Sequence, residues 1–368
     1  MRRRMIFYKG RCMDNIIIKD VIGNCVWHID DEKTLTIEPI KGTNGLLEDY
    51  FRNKGWPWDS WALVIRKVIV ENGVKTNRNA CFMFKDMKKC RVFDVAALDV
   101  SMAENLNGMF FGCCSLTELG PLKGWNVGNV TTISRMFEMC RSVSGLKPLA
   151  GWKVSSVRDM YAAFFRCEGI TDLSPLAGWD VSGVKNMGSM FACCTGIGTT
   201  APLNNWKTGK VESMDHMFSD CAKLLDASVV KSWNVASLEG ARGMFSNTLV
   251  QENPLDRMIP MTCPRDGEFV GWKKCREGKL AKLLIPADAK RSSAFDKKCR
   301  CDRAVVQDIT DMDGNHAETA VSNKDVKFVY RKGETVCVPN FDEDRFNECA
   351  PGIHFFVNKA DAVSYLYL

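Results

Sequence analysis

No run of 18 apolar residues occurs in the 368-residue chain, which excludes a transmembrane helix and any expectation of membrane insertion. The opening MRRRMIFYKGRCMDN is basic but carries only a four-residue apolar stretch. A secretory leader needs roughly 7–15 apolar residues there, so none is expected. Histidine is scarce, with His28, His216, His316 and His354 the whole set. Charge of one sign is also lacking: a net +6 is mild and does not argue for nucleic acid. The 17 cysteines are odd in number and come with no export signal. That combination excludes a secreted disulfide framework and points to reduced thiols in a cytosol-like compartment.

The abundant residues recur with a period. Phenylalanine, mostly in the pair Met-Phe, stands at Phe84, Phe110, Phe137, Phe164, Phe191, Phe218 and Phe245, at a spacing of 26 and then 27 residues. Cysteine keeps the same beat at Cys113, Cys140, Cys167, Cys194 and Cys221. So does tryptophan at Trp125, Trp152, Trp179, Trp206 and Trp233. Three residue types sharing one period define a repeat array. Within one unit, Val130, Ile133, Met136, Phe137 and Cys140 have spacings that fit one face of a short helix. Ser101, Ser155 and Ser182 stand before such segments as N-caps. The following Val143, Leu146 and Leu149, before Trp152, read as a short strand and a turn. The expected fold is therefore an α/β repeat solenoid with one short strand and one short helix per 27-residue coil. Such a unit buries its apolar side only by stacking on its neighbours, and six coils at strand spacing would extend roughly 30 Å.

Segments such as LTELGPLKGWNVGNVTTISRMFEMC and ITDLSPLAGWDVSGVKNMGSMFACC resemble the BspA-like leucine-rich repeats of bacterial and protist-associated surface proteins. The stretches GNCVWHIDDEKTLTIEP and PWDSWALVIRKVIVENGVK are similar to the leader that opens those arrays, so the resemblance covers about residues 22–248. It implies a leucine-rich-type fold and an adhesin or interaction role.

Both side-chain columns read as structural. Side chains in register on adjacent coils sit about 5 Å apart, beyond the roughly 3.5–4.5 Å of a disulfide. No histidine accompanies the cysteines, and buried thiols behave as small hydrophobes. Tryptophan at one phase of every coil reads as an offset-stacked ladder. The outward set expected on the strand side includes Thr117, Glu118, Ser144, Thr171, Asp172, Thr199, Leu225 and Asp226. It is small and slightly acidic, without the aromatic or arginine anchors that carry most binding energy.

An open array needs capped ends. Residues 1–76 read as an N-terminal cap, with a hairpin formed by Cys25–Ile29 and Thr34–Ile37 and a strand at Leu63–Val70. The array spans 77–248. Pro254, Pro260 and Pro264 mark a linker at 249–263, and 264–368 reads as a separate, mostly β domain. Its expected strands are Leu280–Ile285, Ala304–Ile309, Val326–Tyr330, Thr335–Val338 and Ile353–Val357, with a final helix from Lys359 to Leu366 capped by Asn358. Its sequence, from FVGWKKC to the end, resembles a domain that follows pentapeptide and other repeats in proteins of large DNA viruses of protists. That implies a viral source, hence host cytoplasm or virion, and points to no particular activity.

Candidate sites are few. Cys299, Cys301, Cys349 and His354 are possible metal ligands, although Cys299 and Cys301 lack the spacing of a zinc pair. Cys349 and His354 could also serve an enzyme as nucleophile and base. Lys290, Arg291, Lys297, Lys298, Arg300 and Arg303 form a basic cluster within 265–303, where 12 Lys/Arg face 6 Asp/Glu. Residues 304–368 reverse the balance, 6 against 11. Without interleaved aromatics the cluster reads as an acid-paired surface, with Asp342-Glu343-Asp344 as its partner, and nucleic acid is not expected. The expectation as a whole is a non-enzymatic scaffold without cofactor that binds a protein partner, the alternatives being a C-terminal enzyme or metal site and a virion component.

Overall fold

The computed structural model describes residues 16–50 and 54–365. It is built mainly of strands and turns, with few helices. The chain divides into two compact units. One comprises the residues up to Leu238 with Met244–Leu255, the other Glu239–Gly243 with everything from Asp256 on. The division at 255/256 falls inside the stretch expected to be a linker, where a single turn of helix α1 spans Leu255–Met258.

The first unit opens with β1 (Ile16–Ile22), β2 (Cys25–Asp30) and β3 (Thr34–Pro39), paired antiparallel. The expected hairpin is β2–β3. Strand β2 alternates: Cys25, Trp27 and Ile29 are buried while Val26, His28 and Asp30 are part-exposed, the period of a one-sided strand. The Asp30 carboxylate accepts from the Thr34 N–H at 2.7 Å and closes the turn. Then the direction changes. Strands β4 (Lys67–Val70) and β5 (Val92–Asp94) continue the sheet in parallel, pairing Thr34 with Lys67 and Lys67 with Val92. Parallel stacking thus starts at β3, inside the segment read as a cap. The strand expected at Leu63–Val70 begins only at Lys67, because a 3-10 turn at Asp59–Trp61 precedes it and leaves Leu63 58% exposed. Residues 1–15 of the expected cap lie outside the described residues.

From Asn79 onward, bridges join equivalent positions of successive units in parallel: Asn79, Asn105, Thr132, Asp159, Asn186 and Ser213. The expected helix in each coil is absent, and the assignments within the unit reverse. The stretch read as helix carries the inter-coil bonds, while the stretch read as strand holds a 3-10 turn, Gly120–Leu122, Lys147–Leu149, Ser174–Leu176 or Ala201–Leu203. Three-residue spacing misled the reading, because consecutive tight turns place every third residue inward much as a helix face does. Ser101, Ser155 and Ser182 consequently cap no helix. The Ser101 and Ser182 N–H groups donate to Asp99 and Asp180 at 2.9 and 3.1 Å, which are Asx turns.

The backbone reason is a pair of left-handed residues per coil. Arg135 and Met139 have φ of 57° and 64°, Ala162 and Arg166 52° and 58°, Ser189 and Cys193 54° and 59°. A residue in that region interrupts a right-handed helix every four positions. It turns alternate N–H groups outward to the next coil, where Arg135, Phe137 and Met139 donate to Tyr161, Ala163 and Phe165 at 2.8, 2.9 and 2.7 Å. Each non-glycine in this conformation costs about 1–2 kcal/mol, and the inter-coil bonds and stacked rings offset it.

Gly108 occupies the first of these positions with φ 59°, and an added Cβ would meet the Phe82 ring at 2.2 Å. Gly108→Ala is therefore expected to lose about 1–3 kcal/mol of stability. At the equivalent Ala162, Ala→Gly should change stability by less than about 1 kcal/mol, because relieved strain offsets a lost methyl. Denaturant titration of both variants checks the asymmetry.

The second unit is organised on a seven-stranded sheet in the order β13-β10-β7-β6-β14-β9-β8. Its strands are β6 (Phe269–Lys274), β7 (Leu280–Ile285), β8 (Arg291–Ser292), β9 (Lys298–Cys301), β10 (Arg303–Thr310), β13 (Thr335–Cys337) and β14 (Ile353–Phe356). Strands β11 (Thr319–Val321) and β12 (Val329–Arg331) form a separate pair. Helix α2 (Lys359–Ser364) follows, and the Asn358 side chain accepts from the Ala360 N–H at 2.9 Å as its N-cap. The expected residue Leu366 lies outside the described residues. Strand β6 was not foreseen. It lies between β7 and β14, and Gly271 within it is needed, since a Cβ there would meet the Phe355 ring at 2.5 Å.

Candidate functional site

The columns are dry and tie each coil to the one before it. Phe110, Phe137, Phe164, Phe191 and Phe218 are buried, Phe245 partly so, with centroids 5.5–5.9 Å apart along the stack from Phe110 to Phe245. Each column thiol donates to the backbone oxygen of the preceding phenylalanine: Cys113 to Phe84, Cys140 to Phe110, Cys167 to Phe137, Cys194 to Phe164 and Cys221 to Phe191, at 3.0–3.1 Å. Each indole does the same one turn on. Trp125, Trp152, Trp179, Trp206 and Trp233 donate to Val95, Leu122, Leu149, Leu176 and Leu203 at 3.0–3.3 Å. Burial pushes all five column thiols far up, Cys221 to about 12. These residues hold the stack together and present no reactive group to solvent.

The surface carrying the inter-coil bonds is different, and it lies opposite in character to the small, polar set foreseen from the sequence. Phe82 lies across Gly108 of the next coil, 6.3 Å edge-on from Phe111 and 6.1 Å from Tyr50. The Arg135 guanidinium sits 4.9 Å over Phe111 and donates to the Glu138 carboxylate at 2.6 Å. Tyr161 is 43% exposed and rests against Gly188 of the following coil. Phe165, two periods along the Phe111 column, carries Arg166 at 5.4 Å. The same two columns continue as Ser189, Ala192, His216 and Ser219. Aromatic and arginine side chains therefore concentrate on the first half of the array. Sequence reasoning missed them because it placed the exposed face on the other stretch of the unit. The repeated glycine beneath an aromatic one period earlier, as Phe82 over Gly108, was the available signal.

The second unit contains a cleft of about 570 Å³ lined by Lys273, Lys324, Phe328, Tyr330, Cys337, Cys349 and His354, among others. It brings together two sequence candidates, Cys349 and His354, and leaves two apart. Cys299 and Cys301 are buried on β9; the Cys299 thiol is held protonated by its hydrogen bond with Cys263 and by burial, and burial raises Cys301 as well. Among the described residues no group of three or more His, Cys, Asp and Glu is placed to hold a metal ion. His354 Nε2 lies 3.1 Å from the Glu348 carbonyl, which only accepts, so that nitrogen carries the proton. Burial, then the neighbouring Lys273 charge, lowers His354 to about 4, leaving it neutral at pH 7.

The basic cluster is largely engaged internally. Arg300 is 1% exposed and donates to the Asp342, Asp344 and Pro351 carbonyls and the Ser292 hydroxyl at 2.8–3.1 Å. Arg291 bonds the Pro286, Ala287 and Gly267 carbonyls at 2.6–2.9 Å. Lys290 pairs with Glu343, Lys297 with Asp361 at 2.9 Å, and Arg303 with Asp288 at 2.5 Å. Lys298 stands 6.0 Å over the Tyr365 ring.

Fold and surface together define a repeat protein of stacked turns and parallel bridges that also carries a β-sheet unit. Residues 78–174 and 144–258 match a family described as "Mycoplasma protein of unknown function, DUF285". Residues 259–362 match one described as "Family of unknown function (DUF5758)". No curated protein matches the chain. Among solved structures it is similar to a leucine rich cell surface protein from Faecalibacterium prausnitzii A2-165, at 10% identity and a TM-score of 0.24, over 57% of this chain and 54% of that one. The chain thus spans about half the length of that protein. None of these similarities bears on a viral source.

Two outcomes follow. A maleimide at pH 8 is expected to label the exposed Cys337 and Cys349 in the native protein, and the five column cysteines only after denaturation, read by peptide mass mapping. The second concerns His354, whose folded value of about 4 lies below its ordinary 6.5. Protons then bind the unfolded chain more readily between those values, so its contribution is full above pH 6.5 and lost as pH falls towards 4. Denaturation curves at pH 7 and pH 4.5 should differ by up to about 2–3 kcal/mol from this group, and His354→Gln should remove that difference.

Proposed function

We propose that the stacked coils form a leucine-rich-type solenoid that binds a protein partner, and that its contact face is the aromatic and arginine surface of the first coils. The observation that carries this reading is the run of Tyr50, Phe82, Phe111, Arg135 and Tyr161 across successive coils, with Tyr161 43% exposed. Tyrosine and arginine on a rigid framework are the residue types that dominate protein contacts, because they bring large areas at little entropic cost. A protein partner is favoured over nucleic acid because Arg291 and Arg300 are bonded to carbonyls within their own unit. The setting proposed is a reducing, cytosol-like compartment, supported by the odd cysteine number and the protonated buried thiols. The second unit would serve the same scaffold without chemistry of its own in that role.

The test is affinity capture with the full chain against its Phe111→Ala/Tyr161→Ala variant. Both side chains are at least partly exposed, so the variant should keep the wild-type melting temperature. Recovery of specifically retained proteins should fall by about tenfold or more, the size of a lost hot spot. Undiminished recovery, or recovery lost only when Thr117, Thr171 and Leu225 are changed, moves the contact to the opposite face.

A further inference from the structure

The second unit holds a feature that the scaffold reading does not use. Lys273 is only 6% exposed although it lies on β6, one of the inner strands of the seven-stranded sheet. Lysine is rarely buried so completely, since its ammonium loses hydration in a weakly polar interior. Strand alternation explains how it arrives there: Gly271 and Lys273 face the same side and are buried, while Trp272 and Lys274 face the other and are part-exposed. On that side the chain does not fill the space. The lysine forms part of the wall of the 570 Å³ cleft, with Phe328, Tyr330, Val338 and Ile353 as apolar lining and Ser322, Asn340 and His354 as polar lining. A volume of this size accommodates a small organic molecule.

We propose that this cleft is a carbonyl-capture site, in which the Lys273 amine condenses reversibly with a small aldehyde or ketone that carries a carboxylate, the carboxylate meeting Lys324 at the rim. The amine nitrogen adds to the carbonyl carbon, giving a carbinolamine. Its hydroxyl then leaves as water, and the nitrogen keeps a double bond to carbon. The two amine hydrogens leave in that water, so the step balances without oxidant, reductant or cofactor. Three properties of the site favour it. Lys273 is 6% exposed where it joins the cleft wall, so little of it meets solvent and an imine there would be partly shielded from hydrolysis. Burial, with Lys324 and Lys298 as like charges nearby, lowers the amine to about 8, so a useful fraction is uncharged and nucleophilic near neutral pH. His354 is neutral with its proton on Nε2, so it adds no further positive charge beside the amine. Asp325 also lines the cleft and balances Lys324 while the amine is uncharged, so recognition of an anionic carbonyl compound rests on the Lys324 ammonium itself.

The experiment uses the full chain, glyoxylate as probe and cyanoborohydride to trap the imine as a carboxymethyl-lysine, with peptide mass mapping as readout. Lys273 is expected to be modified at least tenfold faster than the exposed Lys324 or Lys67, with a rate that rises through about pH 8. Lys324→Gln should reduce trapping of glyoxylate but not of propanal, which has no carboxylate. Lys273→Arg keeps a cation for folding and should abolish the site-selective adduct at unchanged melting temperature. Modification of Lys273 no faster than of exposed lysines, or only in denaturant, overturns the proposal by showing a purely structural lysine. That result concerns wild-type protein and stands whether or not the variants fold. It is also independent of the contact face on the array.

Discussion

Each coil is held to its neighbour by backbone N–H groups that point along the stack, and that arrangement depends on two left-handed residues in every unit. Were Arg135, Ala162 and their equivalents right-handed, the same chain would run on as a helix and satisfy its hydrogen bonds internally. The coils would then have nothing but side-chain packing to set their register. With alternate N–H groups donated to the next coil, equivalent residues must lie above one another. The phenylalanine, thiol and indole columns are consequences of that register; the thiols and indoles strengthen it by donating backward to preceding carbonyls, and the phenylalanines by stacking ring on ring.

The same register shapes the surface. On the outer face a ring can also lie flat across the equivalent position of the next coil, and where it does so that position is glycine. Phe82 has Gly108 and Tyr161 has Gly188. Where the sequence supplies only Ser189, Ala192 and Ser219 in those columns, the face is flat and small. The array is therefore regular inside and graded outside. The outer side chains of the first coils can vary without altering the ladder that supports them.

In the second unit the decisive constraint is dielectric. Burial raises the thiols on β9, and beside the cleft it lowers Lys273 to about 8 and keeps His354 neutral at pH 7. Two arginines fasten loops here and form no basic surface: Arg300 holds the 342–351 segment by its carbonyls, and Arg345 bonds the Ser293 and Ile259 carbonyls at 2.9 and 2.8 Å.

Much of this was legible from residue order alone. The 27-residue period, the burial of its three columns, the β2–β3 hairpin, strand β7 and the Asn358 cap all follow from local chemistry: periodicity, alternation and a side chain that satisfies a free N–H. The secondary structure inside the coil did not follow. A three-residue spacing of apolar side chains is shared by a helix face and by successive tight turns, and nothing in Arg135 or Met139 announces a positive φ. Neither was the cleft legible, because β6 brings Lys273 beside His354 across 81 residues of sequence. Composition and period determined that the chain stacks and what it buries. Only the tertiary fold decided which backbone conformation does the stacking, which face remains outside, and which buried amine meets an open cavity, since each depends on contacts between residues far apart in the chain.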